Sequence, residues 1–257
     1  MRVFKFGGAS VKDAASIRNV AHILSLFQGE QLLIVISAMG KTTNALENLA
    51  KAYFKGSSES DSIIKEIKHF HHEIIKDLLK DKPTKVYDEI DNLFIDLESI
   101  IGRKNDKDFD FIYDQIVSFG EIISTKIVSL FLNENGFNNR WIDSRNFIAT
   151  DNTYREGKIN WDETVNAISK RLKPIVEQQI VVTQGFIGRS TENATTTLGR
   201  EGSDYSAAIF CFGLDAESVT IWKDVAGVMN ADPKRVPDAK KIDRLTYNEA
   251  IELAYYG

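Results

Sequence analysis

Residues 1–27 read MRVFKFGGASVKDAASIRNVAHILSLF. Val3, Phe4 and Phe6 make a short apolar strand, Gly7 and Gly8 break it, and Ile17, Val20, Leu24 and Phe27 recur on one face of a helix. Ser10 and Asp13 have the spacing of a capping box, with aspartate where glutamate is usual. The stretch QLLIVISAMGKTTNAL, Gln31 to Leu46, repeats the pattern. Leu32 to Ser37 reads as a buried strand, 38–43 as a loop, and Asn44 onward as a helix. Two strand–loop–helix units in succession predict an α/β fold on a parallel sheet.

The GKT at Gly40, Lys41 and Thr42 invites comparison with a phosphate-gripping P-loop, GxxxxGK[ST]. The early glycine that would turn the chain is Val35 here. A β-branched residue in an apolar run belongs to the strand, so the loop is too short to wrap a phosphate.

Composition excludes several classes. The chain has 257 residues, 43% hydrophobic, with a net charge of -5. That suits a soluble globular protein and disfavours nucleic acid as a partner. Cys211 is the only cysteine, which rules out an intramolecular disulfide and a cysteine zinc cluster; its apolar neighbours make it a buried core residue. No apolar run approaches the roughly 20 residues that span a bilayer, so no membrane is expected, and the setting reads as reducing and cytoplasmic.

From about residue 57 to 107 glycines nearly vanish and apolar residues keep helical spacing, as at Ile64, Ile67, Ile74, Ile75 and Leu78, which predicts a helical insertion. Within it His69, Phe70, His71 and His72 suggest a metal site, but no partner stands in a recognisable ligand pattern, and a solvated helix face is the expectation. A long helix is predicted over 109–132, strands at 139–142 and around Phe147, and a helix over 161–171. Pro174 is read as opening the next strand, IVEQQIVVTQGFIG. TENATTTLGR reads as a polar hairpin, LGREGSDYSAAIFCFGL as a glycine turn into a helix, and NEAIELAYYG as a last helix.

Four segments carry chemistry. KFGGAS puts Lys5 at a strand end beside two glycines and a helix N-terminus, an arrangement that favours an anion. LGREGSD adds Arg200, a fork for carboxylate or phosphate, while Ser203 and Asp204 stand where they could simply cap a helix. SFGEIIS places Gly120 inside a helix, at a cost of about 1 kcal/mol against alanine, which suggests close approach by another segment or a ligand. Glu121 beside it is a half-buried carboxylate that wants a cation, from an internal salt bridge or a substrate ammonium. WKDVAGVMNADPKRV brings Asp224, Gly227, Lys234 and Arg235 into a strand end and basic loop, either a phosphate clamp or a solvated turn.

In this order, KFGGAS, SAMGKTTN, SFGE, LGREGSDYSAA and WKDVAGVMNADP resemble the amino-acid kinase superfamily, and within it the aspartate kinases. The resemblance implies a three-layer αβα sandwich on a mostly parallel eight-stranded sheet. It implies one catalytic domain over 1–257, with an amino-acid lobe over 1–180 that carries the insertion and a nucleotide lobe over 181–257. It also implies transfer of the ATP γ-phosphoryl group to the side-chain carboxylate of L-aspartate with Mg2+, the entry to lysine, threonine and methionine synthesis. Lys5 and Asp204 are then catalytic, and Thr43, Glu121, Arg200 and Ser203 hold the substrate. Lys5, Gly7, Gly8, Ser10, Lys223, Asp224, Met229 and Lys234 face the nucleotide, and no residue is a dedicated metal ligand. Glu201, Met229 and Lys234 depart from the commoner glycine, tyrosine and arginine. Family members continue past AYYG with a lysine that reaches the nucleotide and with ACT-type regulatory domains. The expectation is therefore a catalytic piece truncated after Gly257, without those domains, of a protein that is a homo-oligomer at full length. Kinases of the same fold acting on glutamate, acetylglutamate or a nucleoside monophosphate are the rivals, as is a non-catalytic amino-acid-binding module. A nicotinamide-dependent enzyme is disfavoured because KFGGAS lacks GxGxxG spacing.

Overall fold

The computed structural model describes residues 1–79, 85–103, 106–225, 227–233 and 235–256. These form two compact units, Met1–Trp222 and Lys223–Gly257. The expected lobe boundary at residue 180 falls inside the first.

In the first unit, β1 (Arg2–Phe6), β2 (Leu32–Ile36), β3 (Asn139–Trp141), β4 (Ile180–Gln184) and β7 (Ser218–Trp222) form one sheet in the order β3-β4-β2-β1-β7. Every pairing is parallel. The sheet has five strands among the described residues, not the eight that the resemblance implies. β5 (Ile187–Arg189) and β6 (Thr195–Thr197) make a separate antiparallel hairpin, the one expected around the Thr-rich stretch.

Strand alternation divides the core. Phe4, Phe6, Leu32, Ile34 and Ile36 face one layer, with α1 (Ala14–Ser25), α2 (Thr42–Phe54), α3 (Ser60–Leu78), α4 (Lys85–Ile101), α5 (Phe109–Val117) and α6 (Phe119–Glu134). Val3, Leu33, Val35 and Val181 face the other, with α7 (Trp161–Ala167), α8 (Lys173–Val176) and α9 (Gly202–Leu214). Each fully buried Ile or Val contributes about 1.5–3 kcal/mol, so every strand of the centre is held from both faces. This is the expected αβα sandwich.

Several local expectations are corrected. Asp13, not Ser10, caps α1, accepting the Ser16 N–H at 2.8 Å; Ser10 lies in a 3-10 turn over Gly8–Val11. The 109–132 helix is two helices parted at Ser118, which puts Glu121 in the first turn of α6. The 26 residues Phe109–Glu134 are apolar enough to cross a membrane by composition alone, but 83% of the most apolar window is buried inside the fold. Around Phe147 there is a 3-10 turn, Ser144–Asn146, instead of a strand. Pro174 does not open β4: the helix passes through a π turn at Ile168–Leu172 and restarts at Lys173, where a proline needs no N–H partner. Cys211 is half-buried, not fully buried.

The insertion is helical as expected, but HFHH is solvated only at His69 and Phe70. His71 is buried against Phe94 and donates Nδ1–H to the Ile67 carbonyl, and burial pushes its pKa down to about 4. His72 meets Asp91 at 2.9 Å.

The second unit holds α10 (Tyr247–Tyr256) and an antiparallel bridge between Met229 and Lys241. Thr246 and Glu249 form a reciprocal capping box at the start of α10.

Gly120 is explained by packing. A Cβ there would lie 2.9 Å from Ala38 Cβ and 3.2 Å from Leu46 Cδ1. Helix propensity alone would make Gly120→Ala stabilising by about 1 kcal/mol, whereas overpacking costs about 1–3 kcal/mol. The overlap should win, and denaturant unfolding should show a net loss of stability; a gain would mean that the 38–46 segment yields freely.

Candidate active site

The loops after β1, β2 and β4 meet at the carboxyl edge of the sheet, where open α/β sheets bind their ligands. The Ser37 N–H donates to Phe6 O, and the Gly185 N–H to Ile36 O, so the three exits are stitched together. Gly40 N–H donates to Gly8 O at 3.1 Å. A Cβ on Gly8 would stand 2.8 Å from Ala38 O, so only glycine fits there, whatever else the loop binds.

Lys5 points from β1 into the α9 side and is only 6% exposed. Its Nζ lies 2.5 Å from Asp204 Oδ1 on α9, and 3.4 Å from where a Gly7 Cβ would be. Burial of an ammonium demands such a partner. Capping does not account for Ser203 and Asp204. The residue preceding α9 is Glu201, in left-handed conformation (φ +54), and no side chain caps the helix. That φ is one a glycine would adopt without strain. Ser203 is instead packed on the β4 exit: a Gly185 Cβ would lie 2.6 Å from Ser203 Cβ.

Glu121 is fully buried, more than the half-burial expected. Oε1 accepts the Ala38 N–H at 3.1 Å, while Oε2 has no hydrogen-bond partner among the described residues. Desolvation pushes its pKa up to about 8, against the opposing pull of the Ala38 N–H and Lys5. The carboxyl is therefore largely protonated at neutral pH. Ser124, one turn on, donates to Ser37 O at 2.8 Å, and Thr125 Oγ1 receives hydrogen bonds from Trp141 Nε1 and Gln184 Nε2, both at 2.9 Å. α6 is thus fastened to the ends of β2, β3 and β4.

Thr43, in the first turn of α2, and Arg200 line one cleft of about 640 Å³, with Phe186, Thr197 and Gly199. Arg200 makes no ion pair among the described residues. Three further groups shape this cleft. Asp114 on α5 is buried and accepts hydrogen bonds from Arg155 N–H, Thr197 N–H and Thr197 Oγ1–H, at 2.9, 2.9 and 2.7 Å. Burial raises its pKa to about 6. Arg155 and Tyr154 line the cleft as well. Sequence reasoning passed over all three, although Asp114 precedes Glu121 by seven residues, two helical turns.

Gly7, Gly8 and Ser10 lie in the turn after β1. Lys223, Asp224 and Met229 belong to the second unit, and Lys234 lies outside the described residues. Among the described residues no three His, Cys, Asp or Glu side chains are grouped to hold a metal.

The exits of a parallel sheet thus gather a buried ammonium and a buried carboxyl near a guanidinium that makes no ion pair among the described residues, the arrangement of a candidate small-molecule site. The sequence places it: residues 1–257 match the family model for the amino acid kinase family, and the chain belongs to that family. It is 32% identical over 255 residues to lysine-sensitive aspartokinase 3 of Escherichia coli, covering 99% of this chain and 56% of that protein. It is 36% identical over 270 residues to chloroplastic aspartokinase 1 of Arabidopsis thaliana, covering 99% and 45%. The crystal structure of E. coli aspartokinase III with aspartate and ADP superposes with a TM-score of 0.89 at 31% identity, over 100% of this chain and 56% of that one. The chain thus spans about half the length of these relatives.

Glu121 holds its proton more tightly folded, near 8, than unfolded, near 4.5. Its contribution to stability is complete below about pH 4.5 and is lost as pH rises through about 8. Glu121→Gln cannot ionise. Unfolding measured at pH 5, 6.5 and 8 should show the variant gaining on the parent at each step; a constant difference would place the pKa in the ordinary range.

Proposed function

We propose that this chain is the catalytic portion of an aspartate kinase, transferring the γ-phosphoryl group of ATP to the side-chain carboxylate of L-aspartate to give 4-phospho-L-aspartate and ADP. The observation that carries this reading is Glu121: a buried carboxyl with one oxygen that has no hydrogen-bond partner among the described residues, within electrostatic reach of the buried Lys5 ammonium and of Tyr113 in the cleft that Arg200 lines. It suits a substrate with both an ammonium and a carboxylate, which disfavours acetylglutamate and nucleoside monophosphates. The likeness to a structure holding aspartate and ADP supports it.

In this mechanism Arg200 and Ser203 take the α-carboxylate, Glu121 the ammonium, and Thr43 the body of the amino acid. The side-chain carboxylate is ionised at neutral pH and needs no general base. One of its oxygens forms the bond to the γ-phosphorus as the bond to the ADP oxygen breaks. The difficulty is anion against anion, so positioning and cations must lower the barrier. Lys5 neutralises the transferring phosphoryl oxygens, and Asp204 orients Lys5. Gly7, Gly8 and Ser10 border the phosphates, while Lys223, Asp224, Met229 and Lys234 belong to the nucleotide side. Mg2+ would need only one or two protein oxygens, and Asp204, beside Lys5, is the carboxylate that would hold it. Bound there, it would neutralise phosphate charge. A homo-oligomeric full-length protein in a cytoplasmic setting completes the proposal.

ATP, Mg2+, L-aspartate and hydroxylamine should yield an aspartyl hydroxamate, and Lys5→Ala should lower turnover by about a hundredfold or more. Hydroxamate from glutamate but not aspartate would overturn the substrate. Because Glu121 must ionise to pair with an ammonium, aspartate binding near pH 7 should release close to one proton, read by calorimetry in buffers of different ionisation enthalpy. Glu121→Gln should release none.

A further inference from the structure

We infer that Arg155 is a second carboxylate-recognising cation of the substrate cleft, acting beside Arg200 to set which acids the cleft accepts. The inference rests on reading that cleft as an amino-acid site. Arg155 has φ +67, a left-handed conformation that favours glycine and costs any other residue backbone strain. The neighbouring Gly199, at φ +74, packs on its carbonyl, where an added Cβ would stand 3.4 Å away. The turn needs the conformation, yet the residue that carries it has the largest cationic fork available.

The surroundings hold that fork in place. Asp114 accepts the Arg155 N–H at 2.9 Å and, through Thr197, ties this turn to the hairpin ahead of Arg200. Gly157 N–H donates to Thr197 O at 2.9 Å, closing the same junction. The guanidinium lies over the Tyr113 ring, 4.5 Å from its centroid, which fixes its plane. Among the described residues its ion pair is with Asp110 at 3.2 Å, and the two side chains are 45% and 58% exposed. So wet a pair contributes little and is easily exchanged. A substrate carboxylate in the cleft, presented to a fork already stacked and oriented, can take two parallel hydrogen bonds in its place. Arg155 therefore rests on Asp110 and transfers to the second carboxylate of a dicarboxylic amino acid, beside the α-carboxylate that Arg200 holds. Asp114 is a positioning residue for that exchange.

The test is binding of L-aspartate, L-glutamate and L-alanine to the 257-residue chain by calorimetry, with ADP as a control ligand. Arg155→Gly suits the left-handed turn, so its melting temperature should not fall. It should weaken binding of the accepted dicarboxylic amino acid about tenfold or more and leave ADP affinity within about twofold. Arg155→Lys should recover part of the loss. Asp110→Asn, which releases the guanidinium from its resting partner, should tighten binding. If the pair merely pins the loop, Arg155→Gly and Asp110→Asn should weaken binding alike, and that result overturns the inference. Equal aspartate affinity in the parent and in Arg155→Gly sinks the inference and spares the aspartate reading. Binding of glutamate in place of aspartate, weakened by Arg155→Gly, does the reverse. An alanine affinity equal to that of the dicarboxylic acids, or no binding of any amino acid by the parent, overturns the inference.

Discussion

Lys5 is held almost out of water at the end of β1, and the cost of keeping an ammonium there is offset chiefly by Asp204. That pairing constrains much of what surrounds it. It fixes the first turn of α9 over the end of β1, so the loop before α9 must reverse within a few residues, which is where Glu201 takes its left-handed φ. α9 then bears on the β4 exit closely enough that only glycine fits at 185. Gly7 leaves room for the ammonium, and Gly8 lets the β2 loop close over the same turn. The glycines are accounted for by the approach of chain to chain around one buried charge.

Much of this was legible because it lies in short-range pattern. The strand–glycine–helix units of residues 2–46 are set by apolar periodicity and by turn residues, and both act over a few positions. What was misread depended on distant partners. Ser10 and Asp13 are equally good caps on paper; the choice falls to Asp13 because the Gly8 turn is drawn against Ala38 and Gly40, which delays the helix. Pro174 looks like a break until the π turn before it removes the need for its N–H. His71 carries a polar label, yet its ring packs among Phe70 and Phe94 and its one strong bond is to its own helix. The Asp114–Arg155–Thr197 junction joins residues 41 and 83 positions apart, beyond the reach of periodicity.

The placement of charge explains how an acidic chain could serve the anionic substrate proposed for it. The net charge of -5 is a property of the whole sequence, but the edge of the sheet is arranged differently. Glu121 is kept neutral by burial, Asp204 is spent on Lys5, and Asp114 is turned toward backbone N–H groups and a hydroxyl. Each of these three acids is thus neutral or committed, whereas Arg200 has no ion pair among the described residues and Arg155 has an exposed, weak one.

On the proposed function, such an arrangement would make the proton on Glu121 a sensor of what enters. A ligand with a carboxylate but no ammonium leaves Oε2 unpaired and the proton in place, so the carboxyl remains an indifferent neighbour. A ligand with both groups converts that carboxyl into an anion at the moment it supplies the matching cation, in a region where water is scarce and the ion pair is correspondingly strong. In the proposed reaction the newly charged Glu121 stays satisfied by the ammonium and adds no net repulsion against the incoming phosphates. The free amino group therefore does more than mark the substrate as an amino acid: it lets the site carry an anchoring carboxylate without disturbing the positive edge that phosphoryl transfer requires.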